Sequence, residues 1–228
     1  MKTNQHLKIL TQRLIEKIFK IQIFYKTKTI DEIYISNLNE NPIIFDVGAN
    51  EGQSVDRFKK IFPKSKIFSF EPLYFLEDKL KSQQIKYSNF NYYLFGFGDK
   101  NLKKDIYVNA QTGASSFFKL KNNSAWLSKR SKILGIKESD FKKEKITVEL
   151  KKLDDFLSEN KISHIDILKV DVQGYESNIF KGSEQALINR VFQYIEVELI
   201  IYGIYEMENS FYNIERYLVP SGYKLISI

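Results

Sequence analysis

An apolar run that ends in a turn of small residues and passes directly into a helical pattern constrains this chain most. Ile43–Val47 is followed by Gly48-Ala49-Asn50-Glu51-Gly52, and apolar residues then recur at helical spacing as far as Pro63. A second run, Lys66–Phe70, ends in Glu71-Pro72. The order strand, turn, helix, strand and carboxylate is typical of an α/β sheet that binds a nucleoside at the carboxyl ends of its strands.

The spacing within this turn indicates which nucleoside. Gly48 and Gly52 have no Cβ, so the backbone there can approach a ligand closely. The pattern from Asp46 is D-x-G-x-N-x-G, and Asn50 takes the place of the second glycine of the dinucleotide fingerprint. Glu71 can accept hydrogen bonds from both hydroxyls of a ribose, and Asp46 suits a positively charged amino-acid end. We therefore predict S-adenosylmethionine; the alternative is a plain strand-to-helix turn followed by an incidental Glu.

Composition sets the domain count and excludes several classes of protein. The chain has 228 residues, of which 43% are hydrophobic, so residues 41–228 can form one domain behind a helical appendage at residues 1–40. Cysteine is absent, which excludes disulfides and thiolate metal sites. There is no signal-peptide pattern and no apolar run of the roughly 20 residues that a membrane span needs. We expect a cytoplasmic protein.

The net charge of +7 raises the question of nucleic-acid binding. Most of the cations are Lys, whereas proteins that read bases or clamp phosphates favour Arg. We therefore expect no nucleic-acid partner. The densest basic stretch runs from Lys119 to Lys145, and it is either a solvated face or a binding surface for an anionic substrate.

The remaining periodicities predict strands that alternate with helices. Helices are predicted at 5–25 and 30–38, and strands at 89–95, 165–170, 194–200 and 223–228. Two short strands at 105–108 and 146–150 flank an irregular insertion. This alternation predicts an α/β fold with a doubly wound, mostly parallel sheet. The N-terminal helices could pack on the sheet, form a lid or make a homodimer.

Several motifs, in order, resemble one family. They are the turn from Phe45 to Gly52, Phe70-Glu71-Pro72, the loop Gly113-Ala114-Ser115-Ser116, the stretch Leu168-Lys169-Val170-Asp171-Val172-Gln173-Gly174-Tyr175-Glu176 with Lys181-Gly182, Glu196-Val197-Glu198, and Ser221-Gly222-Tyr223. Together they resemble the FkbM-type family of S-adenosylmethionine-dependent methyltransferases. One departure is Gln173, which stands where the family often has Glu.

The resemblance implies a Rossmann-like class I methyltransferase fold with N-terminal helices and a small β insertion. We expect the last, antiparallel strand of that fold to be missing. The implied reaction is O-methylation of a small molecule, most often a sugar or nucleotide-linked sugar of a surface polysaccharide. Motifs and turn positions together predict a cofactor site formed by Asp46, Gly48, Asn50, Gly52, Ser54, Glu71, Pro72, Gly98, Asp99, Ser115, Ser116 and Asp171. Asp99, placed to accept from the adenine amino group, could equally be an ordinary turn residue.

Methylation of a hydroxyl requires a base that takes up its proton. His164 precedes its strand at the amino end, away from the predicted pocket. Asp171 lies at the carboxyl end of the predicted central strand with Glu198 on the neighbouring strand, and both are candidates. Lys169 shares a face with Asp171 and can keep a carboxylate ionised. Asp171 could instead cap the following helix.

Other functions stay open from the residues alone. A metal ion between Asp171, Glu176 and Glu198 has no spacing signature, so no metal site is predicted. An RNA methyltransferase is one alternative function, and the scarcity of Arg argues against it. A non-catalytic scaffold that binds the cofactor is the other.

Overall fold

A computed structural model describes residues 28–200, 203–206 and 211–227. The chain divides into two compact units, Met1–Asn37 and Leu38–Ile228. In the first unit, helix α1 (Ile30–Asn37) begins with a capping box, because the Glu32 amide donates to Thr29 Oγ1 over 3.2 Å and the Thr29 amide donates to Glu32 Oε2 over 2.8 Å. The predicted helix at 5–25 lies outside the described residues. The division at residue 40 and the homodimer stay predictions.

The second unit alternates strands with helices, as the periodicities predict. The main-sheet strands are β1 (Ile43–Val47), β2 (Lys66–Phe70), β3 (Phe90–Tyr93), β7 (Ile165–Val170) and β8 (Phe192–Val197). The helices are α2 (Gln53–Ile61), α3 (Glu77–Lys86), α4 (Ala125–Leu134), α5 (Glu138–Phe141), α6 (Leu153–Glu159), α7 (Glu176–Lys181), α8 (Glu184–Ile188) and α9 (Phe211–Leu218).

The main sheet has the order β3-β2-β1-β7-β8, and all neighbouring strands are parallel. The predicted doubly wound parallel sheet is confirmed. Strand order changes direction between β1 and β7, and such a switch point opens a crevice at the carboxyl ends of the strands. The loops after β1 and β7 therefore meet there.

The two faces of the sheet differ in chemistry. One face carries the apolar core, in which Phe45, Val47, Leu168 and Val170 pack against α6, α7, α8 and Ile214 of α9. On the other face, register places Ser69, Asp46, Lys169 and Glu196 in one row across β2, β1, β7 and β8. Buried parallel strands are usually apolar on both faces, so this polar row is a distinctive feature of the sheet.

A second sheet holds the insertion. It has the order β4-β6-β5, with β4 at Gly96–Phe97, β5 at Leu102–Asn109 and β6 at Lys142–Lys151. The short strands predicted at 105–108 and 146–150 are thus longer than expected and pair antiparallel with each other. Strand β3 ends at Tyr93, two residues before the predicted end, because the chain leaves the main sheet to form β4.

The strand predicted at 223–228 was wrong for the residues that the structure describes, since 223–227 form no strand. Leu225 and Ile226 are adjacent and both are mostly exposed, so a strand there would have no buried face. Tyr223 instead anchors the segment through its hydroxyl, which donates to the Phe192 carbonyl over 2.9 Å. Across the described ranges, we find no helix with the length and apolar character that crossing a membrane requires.

Candidate functional site

A cleft of about 240 Å³ opens at the switch point, over the carboxyl ends of β1, β2 and β7. Predicted site residues form much of its wall: Gly48, Asn50, Ser54, Glu71, Pro72, Ser115, Lys169 and Asp171. Residues from the loops after three strands and from the insertion thus meet in one place. Clefts of this kind are where open α/β sheets bind ligands.

Gly48 allows the β1 and β7 loops to touch. Its φ is 84°, its amide donates to the Phe70 carbonyl over 2.9 Å, and a Cβ there would lie 1.9 Å from the Asp171 carbonyl oxygen. No side chain fits so close to a backbone oxygen. The glycine therefore positions Asp171 at the edge of the cleft.

Replacing Gly48 with Ala is expected to destabilise the protein by about 3 kcal/mol, because steric overlap and a left-handed φ both oppose the new Cβ. Chemical denaturation at neutral pH measures this loss. Gly135→Ala is the matched control, since Gly135 also has a positive φ of 67° but nothing lies within 4 Å of its added Cβ. An equal loss in both variants would assign the effect to backbone strain alone.

Glu71 is buried at the end of β2, with each carboxylate oxygen held by one backbone amide. The Asn50 amide donates to Oε2 over 2.8 Å and the Leu73 amide donates to Oε1 over 2.9 Å. Burial raises the pKa of Glu71 to about 7, against the opposing effect of these two amides. Each oxygen keeps a free lone pair, so the carboxylate can accept two further hydrogen bonds.

The insertion closes over the turn after β1 through Asn50. The Thr112 hydroxyl donates to Asn50 Oδ1 over 2.7 Å, and a Cβ on Gly113 would lie 3.3 Å from Asn50 Nδ2. Asn50 itself has a φ of 48°, a left-handed conformation that Asn tolerates. The loop at 112–114 therefore forms one wall of the cleft.

Lys169, in the cleft wall, lies between two carboxylates. Its Nζ is 3.3 Å from Asp46 Oδ1 and 3.4 Å from Asp171 Oδ2. Burial lowers the pKa of Lys169, but the charges of Asp46 and Asp171 outweigh it and the net shift is upward. The row ends in a bidentate ion pair between Glu196 and Arg57 of α2, with N–O distances of 2.6 and 3.0 Å. Charges thus alternate across the sheet.

Asp171 and Glu198 form a carboxyl pair at the mouth of the cleft, bridged by Gln173. Burial raises the pKa of Asp171, but Lys169 and a hydrogen bond from Glu198 lower it more, so Asp171 is ionised. Glu198 is exposed as a residue, yet its carboxyl meets Asp171. Lost hydration and the Asp171 charge raise the pKa of Glu198 to about 8. At neutral pH the pair therefore holds one proton.

A comparison with known protein families agrees with this geometry. The family model for the methyltransferase FkbM domain matches residues 46–225, most of the chain. The chain belongs to the FkbM methyltransferase family. The resemblance predicted from the motifs is confirmed.

Individual relatives of this chain are distant. It is 27% identical over 158 residues to the 2-O-methyltransferase NoeI of Sinorhizobium fredii, a match over 68% of this chain and 63% of NoeI. It is 31% identical over 185 residues to the methyltransferase sdnD of Sordaria araneosa, over 72% of this chain and 69% of sdnD. The crystal structure of methyltransferase FkbM from Methylobacillus flagellatus aligns with 67% of this chain and 32% of its own, at a TM-score of 0.42 and 13% identity.

Some predicted site residues lie away from the cleft wall. Asp46 is fully buried beneath Lys169, and Gly52 starts α2 and faces Gln83 of α3. Gly98 and Asp99 are also apart from the wall, and Asp99 pairs with Lys181 at 3.1 Å. Strand β3 ends before them, so they follow the second sheet instead.

Ser115 and Ser116 have different positions, although they are adjacent. Ser115 lines the cleft, and its Oγ accepts from the Asn109 amide over 3.1 Å. Ser116 is buried, donates to the Gln173 carbonyl over 2.7 Å and accepts from the Phe118 amide over 3.1 Å. Ser116 therefore ties the insertion to the loop after β7.

The structure adds wall residues that sequence reasoning missed. Leu73, Ile106, Phe97 and Phe117 form an apolar side of the cleft. Tyr205, from the segment 203–206, is buried and donates to Gln173 Oε1 over 2.8 Å. Phe97 and Phe117 adjoin predicted motifs and could have been found from them, whereas no local pattern marks Tyr205.

Two other features bear on the chemistry. In the described ranges, no group of three or more His, Asp or Glu side chains is arranged to hold a metal ion. Glu176 instead uses Oε1 to accept from the amides of Val172 and Gly174, over 3.2 and 3.0 Å. His164 is exposed at the amino end of β7, 3.2 Å from Asp166, far along the strand from Asp171.

Proposed function

We propose that this FkbM methyltransferase binds S-adenosylmethionine in the cleft and transfers its methyl group to a hydroxyl of a small molecule. The observation that carries the proposal is the environment of Glu71, a buried carboxylate at the carboxyl end of β2. Each of its oxygens accepts from one backbone amide and keeps one lone pair for a ribose hydroxyl. These two acceptor positions match the two hydroxyl donors of a vicinal diol. Motif and position agree in favouring a nucleoside.

The remaining walls fit the other parts of the same ligand. Leu73, Ile106 and Phe117 offer an apolar surface suited to an adenine ring. Asp46, which was predicted to meet the positively charged end of the ligand, is buried against Lys169 and lies outside the cleft wall. S-adenosylmethionine supplies an already activated methyl group when bound.

The chain's own part in the reaction is positioning and proton removal. As the acceptor oxygen bonds to the methyl carbon and the carbon–sulfur bond breaks, Asp171 takes up the proton of the acceptor hydroxyl. Lys169 keeps Asp171 ionised before that step. Glu198, beside Asp171, already carries the one proton of the pair, so Asp171 is the member that takes up the new proton.

An oxygen acceptor is supported by the name of one relative, the 2-O-methyltransferase NoeI. For the acceptor class we propose a sugar or nucleotide-linked sugar. The exposed lysines of the insertion would suit its diphosphate: Lys119, Lys121, Lys129, Lys132 and Lys143.

The proposed ribose contact predicts a pH-dependent affinity. The ionised Glu71 accepts both hydroxyls, and its pKa is about 7. We therefore expect S-adenosylhomocysteine to bind roughly tenfold more tightly at about pH 8 than at about pH 6, as the carboxyl loses its proton. Glu71→Gln should weaken binding at pH 8 and remove the pH dependence. Isothermal titration calorimetry measures both.

Glu77→Gln is the control for that experiment, because Glu77 is exposed on α3 outside the cleft wall. It should bind as the wild type does at both pH values. Wild-type protein that gives no heat with S-adenosylhomocysteine, but clear heat with a nicotinamide nucleotide, would overturn the proposed function. Unchanged affinity in Glu71→Gln would remove Glu71 from the ribose site.

A further inference from the structure

Gln173 occupies a special place in the loop after β7. Its φ is 55°, in the left-handed region, and its backbone carbonyl accepts from the Ser116 hydroxyl over 2.7 Å. The main chain at this residue is therefore held by the insertion. This conformation turns the side chain toward Asp171 and Glu198.

Every hydrogen-bonding atom of the Gln173 amide group has a partner. Nε2 donates one proton to Asp171 Oδ1 over 3.0 Å and its other proton to Glu198 Oε2. Oε1 accepts from the Tyr205 hydroxyl over 2.8 Å. One amide thus bridges two carboxyl groups that lie 27 residues apart in the chain.

The chemistry of the partners sets the direction of this amide. If it were flipped, Oε1 would face two carboxyl groups that together carry at most one proton, and at least one contact would be repulsive. Tyr205 is buried, and burial with the nearby carboxylates raises its pKa, so its hydroxyl remains a donor. The only orientation with favourable contacts on all sides is the observed one.

Tyr205 is itself held in place by the insertion. The Lys121 amide donates to the Ile204 carbonyl over 2.8 Å, and the Glu206 amide donates to the Lys119 carbonyl over 2.7 Å. The Tyr205 hydroxyl also lies 2.9 Å from the Ala114 carbonyl, but that carbonyl already accepts from Asn109 Nδ2 over 2.7 Å, so the single hydroxyl proton can go to Gln173 Oε1. The segment 203–206 thereby fixes the far end of the hydrogen-bond chain.

We propose that Gln173 is a positioning residue whose amide holds the Asp171 and Glu198 carboxyls together as a pair, while Tyr205 fixes the direction of that amide. This inference rests on the proposed function for its catalytic meaning, but the geometry of the pair is independent of the cofactor. By donating to both carboxyls, Gln173 favours their ionised forms and so keeps Asp171 able to accept a proton near neutral pH.

Other titratable groups also act on the pair, and a test must separate them from Gln173. They are Lys169, Glu71, Glu176 and Tyr205. Lys169 favours the ionised forms of Asp171 and Glu198, whereas the carboxyl groups of Glu71 and Glu176 oppose their ionisation. None of them is bonded to both Asp171 and Glu198. A change at Gln173 alone should therefore move both carboxyls.

The experiment is a titration of the side-chain carboxyls by carbon-13 NMR, with the Glu198 signal assigned through Glu198→Gln. Removing the two amide donors in Gln173→Ala is expected to raise the Glu198 midpoint by about one pH unit. Gln173→Glu should raise it by about two, since it adds a negative charge in place of a donor. Tyr205→Phe should cause a smaller rise, because the amide then loses its anchor. Thermal unfolding of each variant checks that it is folded.

Gln173→Asn provides a second variant if Gln173→Ala does not fold, because Asn tolerates the left-handed backbone but is too short to bridge both carboxyls. It should give the same shift as Ala. Gln185→Ala, on the exposed side of α8, should leave the midpoint unchanged. A folded Gln173→Ala or Gln173→Asn with a wild-type midpoint would overturn the proposal.

Calorimetry with S-adenosylhomocysteine on the same samples keeps the two proposals separate. A shifted midpoint in protein that binds no S-adenosylhomocysteine would support the positioning role and overturn the proposed cofactor. Normal binding with an unshifted midpoint would leave the cofactor supported and reject the role of Gln173.

Discussion

Replacing Asp171 with Asn is expected to lower turnover by a factor of about 100 to 10,000, the usual contribution of a general base. Asn has nearly the same size but cannot take up the proton of the acceptor hydroxyl. Binding of S-adenosylhomocysteine should survive, because the ribose contact is on Glu71 and the turn geometry depends on the Asp171 backbone. Mass spectrometry with methyl-labelled S-adenosylmethionine and a panel of nucleotide-activated sugars measures the turnover.

Asp78→Asn is the matched control, since Asp78 is exposed on α3 and lies outside the cleft wall. It should keep wild-type turnover. If Asp171→Asn retained more than about a third of the activity, the base would be another group, and Glu198 would be the first to test. Loss of both turnover and cofactor binding would instead point to a structural role for Asp171. That split separates an enzyme from a scaffold that only binds the cofactor.

The site residues that could be predicted are those that directly follow a strand. Gly48, Glu71 and Asp171 each follow an apolar run, and parallel strands bring their carboxyl ends to one edge of the sheet. Local periodicity therefore located three loops of the cleft without knowledge of tertiary contacts. The resemblance of the motifs to the family then predicted that these loops bind the same ligand.

Other positions depend on contacts that no local pattern encodes. Asp99 follows a predicted strand, but the chain leaves the main sheet after Tyr93, so the residue pairs with Lys181 instead. Tyr205 reaches Gln173 only because the segment around it pairs with the insertion. The chemistry of Gln173 was equally hidden: a missing charge was visible in the sequence, whereas a bridge between two carboxyls was not.

Asp46 is another residue whose role the local sequence pattern did not predict. Its place at the end of an apolar run suggested a ligand contact, yet the register sets it opposite Ser69 and Lys169 in the polar row. A charge inside a sheet is stable only with a partner. The sequence pattern predicted that Asp46 binds a ligand, but in the structure Asp46 is the counter-ion of the buried Lys169.

Replacing Lys169 with Met is expected to destabilise the protein by about 3–5 kcal/mol at about pH 8, the cost of breaking a buried ion pair by removing one partner. Asp46 has no exposed surface, and without Lys169 its neighbour in the row is the Ser69 hydroxyl, 3.3 Å from Oδ2. The unpaired charge can be relieved by uptake of a proton. The loss should therefore be smaller at about pH 5, which urea denaturation at both pH values measures.

Two further variants make this prediction specific to the buried charge. The double variant Asp46→Asn/Lys169→Met removes both charges and should recover most of the lost stability, because burying two neutral groups of similar size is nearly neutral. Lys181→Met breaks the pair with Asp99, in which the lysine side chain is 52% exposed, and should change the stability far less than Lys169→Met does, because solvent screens an exposed ion pair. A double variant no more stable than Lys169→Met would mean that the lysine contributes through packing of its aliphatic stem. In that case the charge of Lys169 would not be what stabilises the polar row.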